Sequence, residues 1–347
     1  MFLDERIAAF STLGAIMTEY IDTRKSRFSA SLEAAVQEAV NCNYWFTEEN
    51  VHRAMRAVAN KMLDGKILLS WTSKYLILPN HIPKTIGLIT AGNIPLVGFH
   101  DLLCVLIAGD RARVKLSSKD AALMKALCGI LFSIEPRFAE YVDFIDRIPD
   151  SPDAVIATGS NNSSRYFEAV YGNIPRIIRR NRYSLAALSG TESDEDLALL
   201  GQDIFDYFGL GCRNVSRLIV PVDYSFDPLF KAIEGFGKVM KHEGYRNCFR
   251  YIKAKFDLLG EDYLSNGFVL LTKNTNPAWL ASVNYTSYRK IEEVTQFIHS
   301  EKDRIQCLVS NLSFEGFTSV PFGDSQSPEI DDYADGADTL DFLLNLR

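Results

Sequence analysis

From residue 85 to residue 171 the chain alternates short apolar runs with helical stretches, and this alternation constrains the fold more than any single residue does. Residues 85–90, 111–116 and 153–158 have strand length and apolar content; residues 95–108, 120–132 and 162–171 have helical length and follow them in turn. Strand, helix and strand at this spacing make βαβ units, which require a parallel sheet with helices on its faces. Ligands of such sheets bind beyond the carboxyl ends of the strands. The segments just after each strand are therefore where chemistry is expected.

Residues 1–75 predict helices. Ile7, Phe10, Leu13, Met17 and Tyr20 recur at helical spacing, as do Val51, Met55, Val58 and Met62 behind an N-cap at Thr47 with Glu48 and Glu49 in the first turn. After the parallel region, residues 218–222, 268–272 and 305–309 predict strands and 291–299 a helix. The tail from 321 is acidic and turn-rich and ends in the apolar run Leu340-Asp341-Phe342-Leu343-Leu344, expected to dock on the body.

Composition narrows the function. The net charge is -7, from 37 basic and 44 acidic residues. With no dense Lys/Arg block, nucleic acid is not the expected partner; the one local basic run is residues 176–182. No apolar run approaches the roughly 20 residues that span a bilayer, and the acidic start has no secretory pattern. The six cysteines are scattered without a C-x-x-C pair, which argues against a disulfide framework or a metal site and for reduced thiols in the cytosol.

Each strand end carries a segment with two readings. Asn93, in Thr90-Ala91-Gly92-Asn93-Ile94-Pro95-Leu96, is a good N-cap, with Pro95 suited to the first helical turn; its amide is equally a donor for an oxyanion. Lys115, before Leu116-Ser117-Ser118-Lys119, is a solvated lysine ahead of a serine-capped helix, or a cation that reaches a ribose or phosphate. Gly159, in Thr158-Gly159-Ser160, permits close backbone approach, and the next helix points its N-terminus at an anion. No G-x-G-x-x-G fingerprint is present. Cys212 follows Gly209 and Gly211 and precedes a strand-like run. A cysteine is most often a small buried hydrophobe; flanked by glycines it is also a candidate nucleophile able to form a thioester.

Taken in order, these segments resemble the aldehyde dehydrogenase superfamily, and more closely its acyl-CoA (fatty acyl) reductase branch, the family of the bacterial bioluminescence reductase subunit. Asn93-Ile94-Pro95-Leu96 is similar to the superfamily's Asn-Phe-Pro segment. Lys115-Leu116-Ser117 is similar to its Lys-Pro-Ser motif, with Leu for Pro. Thr158-Gly159-Ser160 is similar to its Thr-Gly-Ser turn, and Gly211-Cys212 to its Gly-Gln-x-Cys nucleophile. Val320-Pro321-Phe322-Gly323 resembles the late Pro-Phe-Gly segment; Trp45-Phe46-Thr47 and Asp332-Tyr333-Ala334-Asp335-Gly336 resemble short members of the branch. The resemblance runs from about residue 40 to the end.

It implies an α/β chain with a helical N-terminal segment (1–75), a parallel-sheet nicotinamide-dinucleotide-binding domain (76–205), an α/β catalytic thiol domain (206–315) and a tail docking on the body (316–347). It implies Cys212 as nucleophile and Asn93 as oxyanion donor, with Lys115, Ser117, Ser118, Thr158, Gly159 and Ser160 at the cofactor and no metal. The expected location is the cytoplasm, and the oligomeric state stays open, a homo-oligomer included.

The chain departs from the family in three ways. Hydrolytic members carry a Glu in a Glu-Leu-Gly-Gly segment before the cysteine; here the region around 179–184 has no acid, and Glu192 and Glu195 come later as surface groups. Without a placed base, water is a poor deacylating nucleophile, whereas a thiol such as coenzyme A is partly ionised near neutral pH. Ser118 and Lys119 stand where NAD-preferring members often have Glu, which favours NADPH over NAD. At 347 residues the chain lacks part of the superfamily's usual N-terminal region. The expected reaction is NADPH-dependent reduction of an acyl-CoA or acyl-carrier thioester to aldehyde. The alternatives are a Cys-dependent acyltransferase or thioesterase, needing a His base such as His100 or His242, an ordinary aldehyde dehydrogenase, or a silent scaffold. Arg213 beside the cysteine either lowers its pKa or forms a structural salt bridge.

Overall fold

The computed structural model describes residues 1–79, 82–148, 152–273 and 278–346. The chain divides into two compact units, Met1–Asn181 with Ser327–Arg347, and Arg182–Gln326. The first opens with four helices, α1 (Leu3–Thr23), α2 (Ser29–Cys42), α3 (Glu48–Met62) and α4 (Gly65–Thr72). The apolar positions expected at helical spacing are the buried ones: Ile7, Phe10, Leu13, Met17 and Tyr20 on α1. The Thr47 hydroxyl accepts the Asn50 N–H and caps α3.

A five-stranded sheet follows, built from β1 (Thr85–Ile89), α5 (Phe99–Ala108), β2 (Arg111–Lys115), α6 (Ala122–Ile134), β3 (Val142–Phe144), β4 (Ala154–Thr158), α7 (Asn161–Tyr171) and β5 (Arg176–Arg179). Its order is β3-β2-β1-β4-β5 and all its pairs are parallel. The order reverses between β1 and β4, so the crevice where a dinucleotide sits in folds of this kind lies beyond Ile89 and Thr158. The helix after β1 starts at Phe99 behind Gly98, not at Pro95 as the sequence suggests. Leu96 takes a left-handed conformation (φ 59°), which a helix cannot contain. Gly98 is needed because a Cβ there would lie 2.4 Å from Thr90 Cγ2.

The second unit holds β6 (Tyr183–Ala187), α8 (Asp194–Phe205), β7 (Val215–Pro221), α9 (Asp227–Ala232), α10 (Glu243–Leu259), β8 (Tyr263–Ser265), β9 (Leu270–Thr272), β10 (Ser282–Tyr288), α11 (Ile291–Glu301) and β11 (Ile305–Val309). Its six-stranded sheet runs β11-β6-β7-β10-β9-β8, parallel except for the edge strand β8. The sequence division at 205/206 placed β6 and α8 with the first sheet. They belong here because β6 pairs with β7 and β11, a long-range choice that strand composition does not encode. The last helix, α12 (Thr339–Leu344), returns to the first unit, with Leu340 and Leu343 in its core. Among the described residues, no helix is long and apolar enough to cross a membrane.

Candidate functional site

Cys212 stands exposed at the tip of a tight turn just before β7. The Asn214 N–H donates to the Gly211 carbonyl at 3.0 Å, and the Asn214 side-chain oxygen accepts the Gly211 N–H at 2.8 Å, so one residue closes the turn twice. The other end of that buried amide donates to the Asp203 and Asp206 carbonyls at 3.0 and 2.9 Å. From β6, the Ser184 hydroxyl donates to the Cys212 carbonyl at 2.9 Å. Tyr207, Phe208 and Gly209 are all left-handed, with φ of 52°, 58° and 78°. For a non-glycine residue this costs on the order of 1–3 kcal/mol, and such strain concentrates at functional sites. The strained run and its amide clamp fix the turn that carries exposed Cys212.

Arg213, next to the thiol in sequence, also ties distant segments together. Its guanidinium donates to the Ser325 carbonyl and to the Cys307 sulfur. Buried Asp203 accepts the Gly323 and Ser325 N–H groups at 2.8 and 3.0 Å. Together they fasten the Pro321-Phe322-Gly323 segment within the unit that carries Cys212. Burial raises the Asp203 pKa, and those backbone N–H groups oppose the rise.

In the first unit, the ends of β2, β1 and β4 stand side by side and gather the remaining candidates. The Thr90 N–H donates to the Lys115 carbonyl, and the Ser117 N–H to the Thr90 hydroxyl. A Cβ on Gly92 would lie 2.5 Å from the Ser117 hydroxyl, so the first two turns require a glycine there. Lys115, Ser118 and Asn93 are exposed; Ser117, Thr158 and Gly159 are half-buried. Ser160 is exposed and caps α7 by accepting the Ser163 N–H. Asn93, expected to cap α5, does not, because the helix begins six residues later, at Phe99 behind Gly98.

The Asn93 turn has its own clamp, which sequence reasoning missed. Asp120 is 3% exposed, and its carboxylate accepts the Leu96 and Val97 N–H groups. Buried Asn43 donates to the carbonyls of Gly92 and Lys119. The Asp120 Oδ1 has no partner, and burial pushes the carboxyl up to about 8. A carboxylic acid at the head of an apolar run looks like an ordinary helix start, so nothing local announces it.

Three arginines of the basic run at 176–182 are engaged in ion pairs. Arg179 is buried in an ion pair with Asp101 and donates to the Thr339 hydroxyl. Arg176 and Arg180 both pair with Glu168. The two histidines also have structural duties. His100 bonds through Nε2 to the Ile330 carbonyl in the first unit, and burial lowers its pKa. His242 caps α10, its Nδ1 accepting the Tyr245 N–H. Glu192 folds back on its own turn, accepting from the Ser189 and Gly190 N–H groups.

No protein-family model matches the chain, and no curated protein matches it. Solved structures do. Aldehyde dehydrogenase 21 from Physcomitrella patens, in complex with the reaction product succinate, is similar at 13% identity and a TM-score of 0.71, over 100% of this chain and 84% of that one. Aldehyde dehydrogenase from Mycobacterium tuberculosis, complexed with NAD+, is similar at 15% identity and a TM-score of 0.60, over 89% and 73%. A 3,6-anhydro-L-galactose dehydrogenase in complex with NAP is similar at 11% identity and a TM-score of 0.65, over 94% and 86%. The chain has the aldehyde dehydrogenase-like α/β fold, with a helical N-terminal segment ahead of its parallel sheet.

Proposed function

We propose that this chain reduces an acyl-CoA, or an acyl group on a carrier, to the aldehyde with NADPH, through an acyl-enzyme on Cys212. The observation that carries the reading is the Cys212 turn: an exposed thiol on a strained loop held by a fully engaged buried amide, in a fold shared with dehydrogenases.

The residues at the first sheet fit a nicotinamide dinucleotide. The strand order 3-2-1-4-5 provides the crevice. The first N–H groups of the 11-residue helix α7 lack intrahelical partners and suit a pyrophosphate. Lys115 supplies a cation at the end of β2, with Ser117 just after it, and Thr158 and Gly159 stand at the end of β4 on the other side of β1. Exposed Ser118, followed by Lys119, leaves room and charge for a 2′-phosphate. When bound, NADPH supplies the hydride that reduces the acyl carbon.

The Cys212 sulfur attacks the thioester carbonyl. The Cys212 backbone N–H is assigned to the oxyanion, and the resemblance implies the Asn93 amide as a second donor. The carbon–sulfur bond to coenzyme A then breaks, and the thiol departs with the electron pair and a proton. After reduction, the Cys212 sulfur leaves as the hemithioacetal collapses to aldehyde. The region around 179–184, where the resemblance puts the acid of hydrolytic members, has none, and the end of β6 that follows reads Ala187-Leu188-Ser189-Gly190. With Glu192 bound to its own backbone, water has no placed base there, which favours thiol exchange and reduction over hydrolysis.

The test mixes the protein with acyl-CoAs and NADPH and follows NADPH absorbance with aldehyde trapping. Cofactor loss matched by aldehyde and free coenzyme A is expected. Coenzyme A release without NADPH oxidation would point instead to an acyltransferase or thioesterase.

A further inference from the structure

The Cys212 turn is also one wall of a cavity. The second unit contains a cavity of about 250 Å³, lined among others by Phe205, Phe208, Leu210, Tyr245, Trp279 and Leu280. No charged side chain is among the described residues around it. Leu210 and Asn214, which bracket Cys212 in the chain, both line it. Two trans peptide steps separate Leu210 from Cys212, so their Cα atoms lie within about 7.6 Å. Two polar side chains of the wall are engaged elsewhere. The Asn214 amide is spent on backbone atoms, and the Tyr245 hydroxyl donates to the Phe268 carbonyl at 3.0 Å. The side chains of Phe205, Phe208, Leu210, Trp279 and Leu280 give the wall its apolar part, beside those of Ser216 and Ser282. Trp279, 44% exposed with Lys255 Nζ 3.9 Å from its ring centre, forms the outer wall.

We infer that this cavity receives the hydrocarbon tail of the acyl group carried by Cys212, and that Trp279 limits its length. The inference rests on the acyl chemistry proposed above. A dry apolar cavity of roughly 150 Å³ holds the six carbons of benzene; by the same measure this one holds on the order of ten. Burial of each methylene strengthens binding by about fourfold.

The experiment measures the rate of Cys212 acylation by intact mass, without cofactor, for acyl-CoAs from acetyl to palmitoyl. A rise of about fourfold per methylene is expected until the tail fills the cavity near ten carbons, then a plateau. Trp279→Ala should move the break to longer chains. Ser216→Leu, which fills part of the wall, should move it to shorter ones, with Ser216→Ala as the control for folding. A flat profile in the native chain, with the acetyl and decanoyl groups transferred equally fast, overturns the cavity assignment and leaves the acyl chemistry standing. So does a break that neither substitution moves. No adduct at any length, acetyl included, overturns both.

Discussion

Asn93 and Cys212 both stand exposed on turns that contain left-handed residues, Leu96 in the first unit and Tyr207 with Phe208 in the second. Each turn is held from beneath by a buried polar side chain that bonds to backbone: Asp120 under one, Asn214 under the other. The clamps differ in chemistry. Asn214 is neutral, with its oxygen and nitrogen both engaged. Asp120 is ionisable, with one oxygen unpartnered in an apolar setting. The same geometry is thus insensitive to pH at the thiol and sensitive to pH at the Asn93 turn.

The largest expected effect is at the thiol itself. Cys212→Ala should lower acyl-CoA reduction by ~10⁴-fold or more, since loss of a nucleophile removes the covalent route; retention of full activity in a steady-state assay would refute it. Asn93→Ala should cost about 10²–10³ in kcat, the loss seen when one oxyanion donor is removed. A change confined to KM would show that Asn93 binds rather than stabilises the transition state.

The clamps separate next. Asn214→Ala should destabilise the fold by about 1–3 kcal/mol at every pH, because it orphans the Gly211 N–H and the carbonyls of Asp203 and Asp206; urea unfolding reads this. Asp120 behaves differently. Its folded pKa, pushed up to about 8 by burial from an ordinary 3.8, means that the folded chain keeps a proton the unfolded chain has released. Stability contributed by this group is complete below about pH 4, falls as pH rises toward 8, and levels beyond, with a slope of at most about 1.4 kcal/mol per pH unit. Asp120→Asn keeps an acceptor without the charge. The native chain should lose more melting temperature between pH 5 and pH 8 than this variant does; parallel losses would mean Asp120 is ionised throughout. The smallest effect is at Ser118. Ser118→Glu should shift the NADPH-to-NADH preference by about tenfold toward NADH, the size of one exposed charge contact, read as a ratio of kcat/KM values.

The strand ends were legible in the sequence because βαβ alternation is periodic and local. So were Lys115, Thr158-Gly159-Ser160 and the glycine-flanked Cys212, which sit beside recognisable turns. What was not legible depends on contacts between distant segments. Asp120 reaches back to Leu96 and Val97, and Asn43 reaches forward to Gly92 and Lys119. Arg213 is next to the thiol in sequence but spends its guanidinium on Ser325 and Cys307. Asn93 has the composition of a cap, yet left-handed Leu96 delays the helix and frees it from that duty. Side-chain type marks the strand ends; the direction in which each chain turns decides which distant groups meet there.

The central claim is that Cys212 carries an acyl group that passes to hydride rather than to water. Intact-mass analysis of the protein with decanoyl-CoA alone, then after addition of NADPH, tests it most directly. The expected result is a decanoyl adduct mapped to Cys212 that persists in buffer and vanishes on addition of NADPH, with decanal recovered. An adduct that hydrolyses to decanoate at the same rate with and without NADPH would contradict it.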